Sequence, residues 1–413
     1  MSATAHHAEG HESARRRFGL ASVRVRGFRS ALDVTLEPGP LCALVGEANA
    51  GKSNLLLAIR ALLDPLAAAL AREDASPAGA TIAITAQLAD GRELGLQTTP
   101  PQAPTRTGGP APAVAFLPGE LRSGRLLAGG RAQAGAALER FEAVLAEQLC
   151  GGGAGSSTAS AASLVGALES WASSGQHGLV LLIEEPELYL RPQAQRYLYR
   201  LLRRVAECGN QVIYSTHSPS FLNVARLDEL ALVQRAGGAT TVTQPRAISS
   251  DEDFRVLTEF DAERSELFLA RAALLVEGQT EKLAFPFVFS ALGHDLDREG
   301  ISIVACGGKG NLPLFARVCR ATGVPFVAVF DRDAPPGRRP AYSARRLNSV
   351  ITQLAGADHV VVLAPDFESA AGLVGHHHKP ERAWRALRAR RPDELPPLLI
   401  EAVRRVLALA RDG

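Results

Sequence analysis

Two groups of residues in this chain stand at spacings that can do chemistry. The first begins with Gly46-Glu47-Ala48-Asn49-Ala50-Gly51-Lys52-Ser53, which fits G-x-x-x-x-G-K-[ST]. Glycines so placed let backbone N–H groups turn in on phosphates at a helix N-terminus. Gly46, Asn49 and Gly51 would shape that cradle, Lys52 would reach the β- and γ-phosphates of ATP, and Ser53 would bind Mg²⁺. Further on, Glu184 and Glu185 close an apolar run. Glu184 can hold Mg²⁺ through water, and Glu185 can orient an attacking water. His217, after a second apolar run, can contact a γ-phosphate. The second group is purely acidic: Glu277 and Glu281, then Asp331 and Asp333. Like charges this close repel unless a cation sits between them. Carboxylate oxygens suit Mg²⁺ or Mn²⁺.

These residues need elements that bring them to an edge. Leu41–Val45 reads as a buried strand and "NLLLAIRALL" as a helix, so the first motif has its strand–loop–helix context. "HGLVLLIEEP" and "NQVIYSTHS" each read as a buried strand ending at chemistry-bearing residues. "RAALLVEGQTEK" reads as a strand to Val276, a turn at Glu277-Gly278, and a helix from about Thr280. Acids in a first helical turn complement the helix dipole, which alone would account for Glu281 but not for Glu277. "GVPFVAVFDRDA" is another buried strand, and a period of two would put Asp331 and Asp333 on one face at its end. Ligands of open α/β sheets bind at the C-terminal ends of strands.

The stretch between the first two strands excludes one class. "TIAITAQLADGRELGLQT" reads as a hairpin turning at Asp90-Gly91. "TPPQAPTRTGGPAPA" is a Pro/Gly loop, and residues 131–149 read as one helix. No heptad pattern persists over several turns, which argues against a chromosome-scaffold ATPase with a long coiled-coil arm.

Composition sets the remaining limits. At 413 residues the chain is long enough for two cored domains, and 46% hydrophobic with 21% charged residues reads as soluble and globular. No apolar run approaches a membrane span, and residues 1–17 read as a mobile tail without the apolar core of a secretory signal. Five cysteines without a C-x-x-C pair favour a reducing cytoplasm and no structural zinc. A net charge of +2 means that any DNA surface is a local patch. Of 45 cationic Lys+Arg residues only Lys52, Lys282, Lys309 and Lys379 are lysine, leaving 41 arginines. A surviving lysine marks a place where a compact ammonium serves better than a planar guanidinium, or it is a remnant of codon bias.

The motifs in this order carry a resemblance. "FRS" at Phe28–Ser30, "EEPELYLRP" and "STHSP" resemble the ABC-type ATPase head of the OLD (overcoming lysogenization defect) family of ATPase–nucleases. "VEGQTEK", "CGGKGNLPLFARVCRATGVPFVAVFDRDA", "LAPDFESAAG" and "HHHKPERAW" resemble that family's TOPRIM domain, and the two resemblances together, ATPase first and TOPRIM second, cover nearly the whole chain from Ser22 on. The resemblance implies an α/β chain: an ABC-type P-loop ATPase domain followed by a TOPRIM (Rossmann-like) domain. The expected boundaries are a tail over 1–17, the ATPase domain over 18–248, a linker over 249–265 and the TOPRIM domain over 266–413. It implies that Glu277, Asp331 and Asp333 are the core acids and that Glu281 and Glu368 serve a second metal, with Asp366 a neighbouring candidate. Lys379 would stabilise charge on the phosphate in flight. Lys309 would grip the DNA backbone. His376, His377 and His378 would form a solvated loop rather than a metal site. The signature segment of ABC heads is matched only loosely, by Gly153–Ser157, which reads equally as a flexible linker.

The resulting expectation is an ATP-regulated DNA endonuclease using Mg²⁺ or Mn²⁺, cytoplasmic, homodimeric, free of membrane, and active in phage defence or DNA repair, with a partner protein possible. An alternative from another class is a recombination-type DNA-binding ATPase clamp whose TOPRIM domain is inactive. A topoisomerase is disfavoured because four of the five tyrosines fall in the ATPase half and Tyr342 in a Pro/Arg-rich stretch.

Overall fold

The computed structural model describes residues 18–68, 70–119, 139–141, 143–144, 157–222, 226–245, 260–261, 263–335, 337–373 and 379–412. The chain divides into two units, Met1–Ile248 and Ser249–Gly413.

In the first unit, alternating patterns make one sheet and continuous apolar runs make another. β1 (Leu20–Phe28), β2 (Ala31–Leu36), β4 (Ile82–Leu88), β5 (Glu93–Thr98) and β6 (Thr105–Gly108) form a five-stranded sheet in the order β2-β1-β4-β5-β6. The hairpin read at Asp90-Gly91 is present: β4 and β5 pair antiparallel, and Gly91 takes left-handed backbone (φ 88°). β3 (Leu41–Val45), β7 (Ala113–Leu117), β8 (Leu179–Glu184), β9 (Gln211–Thr216), β10 (Leu230–Ala236) and β11 (Ala239–Thr243) form a second sheet, in the order β11-β10-β3-β9-β8-β7. Its pairings are parallel from β10 to β7, while β11 turns back antiparallel at the edge. β3 and β9 are buried along their whole length, as strands covered on both faces must be.

The helix Lys52–Leu63 lies between the two sheets. Its Leu55, Leu56, Ile59 and Leu62 share one core with Val23, Val25, Ile82 and Ile84 of the first sheet and Leu44, Val180, Leu182 and Ile213 of the second. Buried Gln211 fastens the strand beginnings: its amide accepts from Leu20 N (2.8 Å) and donates to the carbonyls of Leu20, Pro38 and Gly39. Of the helix read over 131–149, only 139–141 and 143–144 are described; Phe141 there stacks edge-on against Trp171 of the helix Ser157–Ser173. Residues 153–156 and the side chain of Ser157, read as a loose signature segment, lie outside the described residues.

The second unit is a parallel α/β layer. β12 (Ala272–Val276), β13 (Ile301–Ala305), β14 (Phe326–Asp331) and β15 (Val360–Leu363) pair parallel in the order β13-β12-β14-β15. The helices Gln279–Ala291 and Pro397–Asp412 share one core with β12, β14 and β15 through Phe285, Phe289, Leu399, Val403 and Val406. β12 and β14 are neighbours in register, Val276 beside Val329. The stretch expected as a linker is described from Phe260, and there it packs inward. Phe260 stacks on Phe268 and Phe315, and Ser265 and Leu267 are fully buried. No helix of the described residues is long and apolar enough to cross a membrane.

Candidate functional site

Parallel strands end together, so their first loop residues meet. In the first unit Val45 pairs with Thr216 and Glu184 with Ser215. Gly46, Glu185 and His217 therefore leave one edge side by side. The loop 46–53 needs its glycines. A Cβ on Gly46 would lie 2.0 Å from Val233 O, and one on Gly51 (φ 112°) would lie 2.1 Å from Thr240 Oγ1. Asn49 also takes left-handed backbone (φ 65°). Lys52 is buried, and its Nζ donates to the carbonyls of Gly46 and Glu47, both at 2.7 Å. Burial pulls its ammonium below the usual lysine range, against the upward pull of Glu185, Glu187 and Glu47. Ser53 is exposed at the helix start.

Glu184 ends β8 half-buried, with one carboxylate oxygen accepting from Gly119 N (3.3 Å). Glu185 is the first residue past the strand. Its backbone is left-handed (φ 44°), a conformation that an L-residue keeps only when its surroundings impose it. Its N–H is held by Ser215 O (3.1 Å) and Ser215 Oγ (3.2 Å), and its carboxylate lies 3.2 Å from His217 Nδ1. The structure thus brings Glu185 and His217 together from two strands.

Four further residues, Glu187, Thr240, Ser30 and Asn54, support this edge, and the sequence reading gave none of them a role there. Glu187, 4% exposed, accepts from Thr216 Oγ1 (2.5 Å) and His217 N (3.3 Å) through one oxygen. Its other oxygen is buried without a hydrogen-bond partner, and burial raises its pKa, which favours a proton there. The third acid of "EEPE" was its only signal. Thr240 Oγ1 contacts Ala50 O (2.9 Å) and Ser30 Oγ (2.7 Å), and Asn54 Nδ2 donates to Ser30 Oγ (2.8 Å). Thr240 and Ser30 thus brace the loop 46–53 and the helix that follows it, from positions outside both.

In the second unit the same logic assembles the acids. Glu277 follows β12, and its carboxylate accepts from Asp331 N (2.8 Å) at the end of β14. Glu281 is buried in the first turn of its helix and accepts from Gly278 N (3.0 Å), capping that turn. Asp366 caps the short helix Phe367–Ala370 through Ser369 N (2.8 Å), and Glu368 sits half-buried in its first turn. Asp331 feels them all. Burial foremost, then Glu277, Glu281, Glu368 and Asp366, push its carboxyl up to about 8. Burial likewise raises Glu277, with Glu281 and Asp333 adding to it.

Two expectations change here. The strand ends at Asp331, and Asp333 follows in left-handed backbone (φ 62°), its N–H donating to Pro365 O (3.1 Å). A turn seated on the Pro365 segment sets the Asp331/Asp333 pair, and strand alternation does not. Lys309, read as a grip on DNA, points inward instead: its Nζ donates to Asp331 O and to Asp333 Oδ2. Lys282 pairs with Glu263 (2.6 Å). Lys379 begins the helix Lys379–Leu387, but its side chain lies outside the described residues, as do His376, His377 and His378.

Whether these acids fit a divalent ion can be asked of their atoms. The donors are all carboxylate oxygens, which hard cations prefer. Asp331 Oδ1 is buried and takes no hydrogen bond, a cost that a cation would remove. Among the described residues no three His, Cys, Asp or Glu side chains already form a metal-holding group. Lys309 brings a positive charge to this edge, against Asp333. The chemistry fits, and closing around an ion would require side-chain adjustment.

Residues 268–333 match the family model described as overcoming lysogenization defect protein-like, TOPRIM domain. That stretch resembles an OLD-like TOPRIM domain. Residues 155–222 match an AAA ATPase domain model, so the chain is α/β with an ATPase part preceding the TOPRIM part. An OLD nuclease of Thermus scotoductus is 37% identical over 271 residues, covering 59% of this chain and 51% of that protein. The Old nuclease of Escherichia phage P2 is 30% identical over 161 residues, covering 37% and 28%. Among solved structures, the C-terminal region of the Burkholderia pseudomallei OLD protein covers 34% of this chain and 98% of that one, at 18% identity and a TM-score of 0.30. The chain spans about half the length, or less, of these curated relatives.

Proposed function

We propose that this chain is an ATP-regulated DNA endonuclease that uses Mg²⁺ or Mn²⁺ in its OLD-like TOPRIM domain. The observation that carries the reading is the meeting of Glu277 and Asp331 on neighbouring strand ends, with Asp331 Oδ1 buried and unsatisfied. Glu277, Asp331 and Asp333 would hold one ion, and Glu281 and Glu368 would help hold a second. Bound there, divalent ions supply a lowered water pKa and charge neutralisation of the scissile phosphate. The protein's part is to orient: the Asp331 N–H fixes the Glu277 carboxylate, and the Gly278 N–H fixes that of Glu281. In the ATPase domain Lys52 and Ser53 would bind ATP with Mg²⁺, Glu184 would add to the Mg²⁺ site, and Glu185 would hold the attacking water with His217 beside it. The resemblance to OLD nucleases extends the proposal to a cytoplasmic homodimer in phage defence or DNA repair.

The alternative from another class is a DNA-binding ATPase clamp with an inactive TOPRIM domain. Plasmid cleavage separates the two. Nicked or linear product is expected with Mg²⁺ or Mn²⁺ and none in EDTA, at a rate that ATP changes. No product under any metal and nucleotide condition would leave the clamp.

Lys379 supplies a second test. A compact donor to a developing phosphate charge is typically worth about 2.7–4 kcal/mol, roughly a hundred- to thousand-fold in rate. Lys379→Ala is expected to lose about that factor in single-turnover cleavage, keep its DNA affinity, and be only partly rescued by Lys379→Arg. A phosphate grip predicts weaker, salt-sensitive binding and good rescue by arginine. Filter binding across a salt series distinguishes the two.

A further inference from the structure

We infer that Lys309 is a built-in cation of the acidic edge: it neutralises Asp333 and the β14 terminus before a divalent ion enters, and its charge sets how tightly that ion is held. This rests on the metal-dependent reading of the same site. The loop that carries it is built for a fixed position. Cys306 N donates to Val276 O (2.9 Å) and Gly308 N to Glu277 O (2.7 Å), so the loop is pinned to the end of β12. Gly307 (φ 77°) and Gly308 (φ 122°) take the left-handed backbone that allows this close approach. Asn311 closes the loop, its N–H on Gly308 O (3.0 Å) and its side-chain amide on Cys306 O (3.1 Å).

From there Lys309 crosses to β14. Its Nζ reaches Asp331 O and Asp333 Oδ2 and lies 5.3 Å from the Phe330 ring centroid, with only 10% of the side chain exposed. An ammonium so enclosed is poorly placed to meet a DNA backbone and well placed to offset carboxylates. Lysine also fits the task better than the arginine this chain otherwise prefers. A compact, three-donor point charge can face a carbonyl and a carboxylate at once, whereas a planar fork is made for bidentate contact. Glu277, Glu281, Glu368 and Asp366 all bear on Asp331. Removing the Lys309 ammonium from Asp333 and the end of β14 leaves carboxylates whose repulsion falls mainly on the metal-free protein. A divalent ion entering among the same oxygens meets the ammonium as a like charge. Lys309 therefore steadies the metal-free fold and weakens metal binding.

The test uses the full chain and does not depend on turnover. Mn²⁺ binding is followed by electron paramagnetic resonance of the free ion, and unfolding by thermal melts in EDTA and in saturating Mn²⁺. Lys309→Met, which keeps the length and loses the charge, is expected to bind Mn²⁺ about ten-fold more tightly, as loss of a like charge at an ion site allows. Its melting temperature in EDTA is expected to fall by roughly 2–4 °C and to recover in Mn²⁺. Lys309→Arg, keeping the charge, is expected to bind Mn²⁺ no more tightly than wild type. Should Lys309→Met not fold in EDTA, Mn²⁺ must restore its far-ultraviolet dichroism; failure to do so overturns the inference. Unchanged or weaker Mn²⁺ affinity in folded Lys309→Met also overturns it. Asp331→Asn distinguishes this from failure of the underlying reading. If Asp331→Asn binds Mn²⁺ as wild type does, the metal site itself is wrong; if it loses binding while Lys309→Met is unchanged, only the role of Lys309 falls.

Discussion

Asp331→Ala is expected to abolish DNA cleavage while ATP binding stays at the wild-type level. Asp331 is the residue on which the acidic edge converges. It ends β14, its N–H positions the Glu277 carboxylate, and its own Oδ1 is buried without a hydrogen bond. Truncation to alanine keeps the backbone contact and removes only the side-chain donors. It also removes the desolvation cost of a buried carboxylate and its repulsion by four neighbouring acids, so the variant is expected to fold. Loss of activity would then report chemistry and not unfolding, and a melt run in EDTA checks this. The residues proposed to bind ATP belong to the other unit, so fluorescent-nucleotide binding should not move. Full cleavage by a folded Asp331→Ala protein would remove the TOPRIM site from the proposed mechanism.

The second large effect lies at Glu185. Its left-handed backbone, the two contacts of its N–H with Ser215 and the 3.2 Å approach to His217 hold one carboxylate at the edge where the phosphate loop begins. Glu185→Gln preserves shape and hydrogen bonding but cannot take a proton. It is expected to bind ATP normally and to hydrolyse it roughly 10²–10⁴-fold more slowly, the usual contribution of a positioned base. Lys52→Ala is expected to fail one step earlier, at binding itself. Lys52 is buried among the loop carbonyls, and without its ammonium the loop loses its only lysine. Single-turnover phosphate release beside nucleotide binding separates the two variants. Normal hydrolysis by Glu185→Gln would shift the water-orienting role to His217.

Much of this was legible in the order of residues because strand ends announce themselves. Leu41–Val45, Leu179–Glu184, Gln211–Thr216, Ala272–Val276 and Phe326–Asp331 are apolar runs that stop at Gly, Glu, Thr-His, Glu-Gly and Asp. A parallel sheet buried on both faces accepts only such runs, and it aligns their ends. The sequence alone therefore specified the strands, the glycine loop between β3 and its helix, the hairpin at Asp90-Gly91, and which acids stand at strand ends.

What it did not specify depends on contacts between residues distant in the chain. Thr240 against Ala50 and Ser30, and Glu187 beneath Thr216, leave no local periodicity, because each acts across strands. Asp333 misled the strand rule because the chain turns after Asp331, where Pro365 O captures its N–H. Lys309 misled for a related reason. From its glycines alone it could face solvent or interior, and only the pinning of Gly308 to Glu277 O directs its ammonium onto β14. The residue types and their spacing determined which side chains were available for chemistry. The tertiary structure decided which of them meet, since side-chain direction at a loop is set by the hydrogen bonds that other strands offer it.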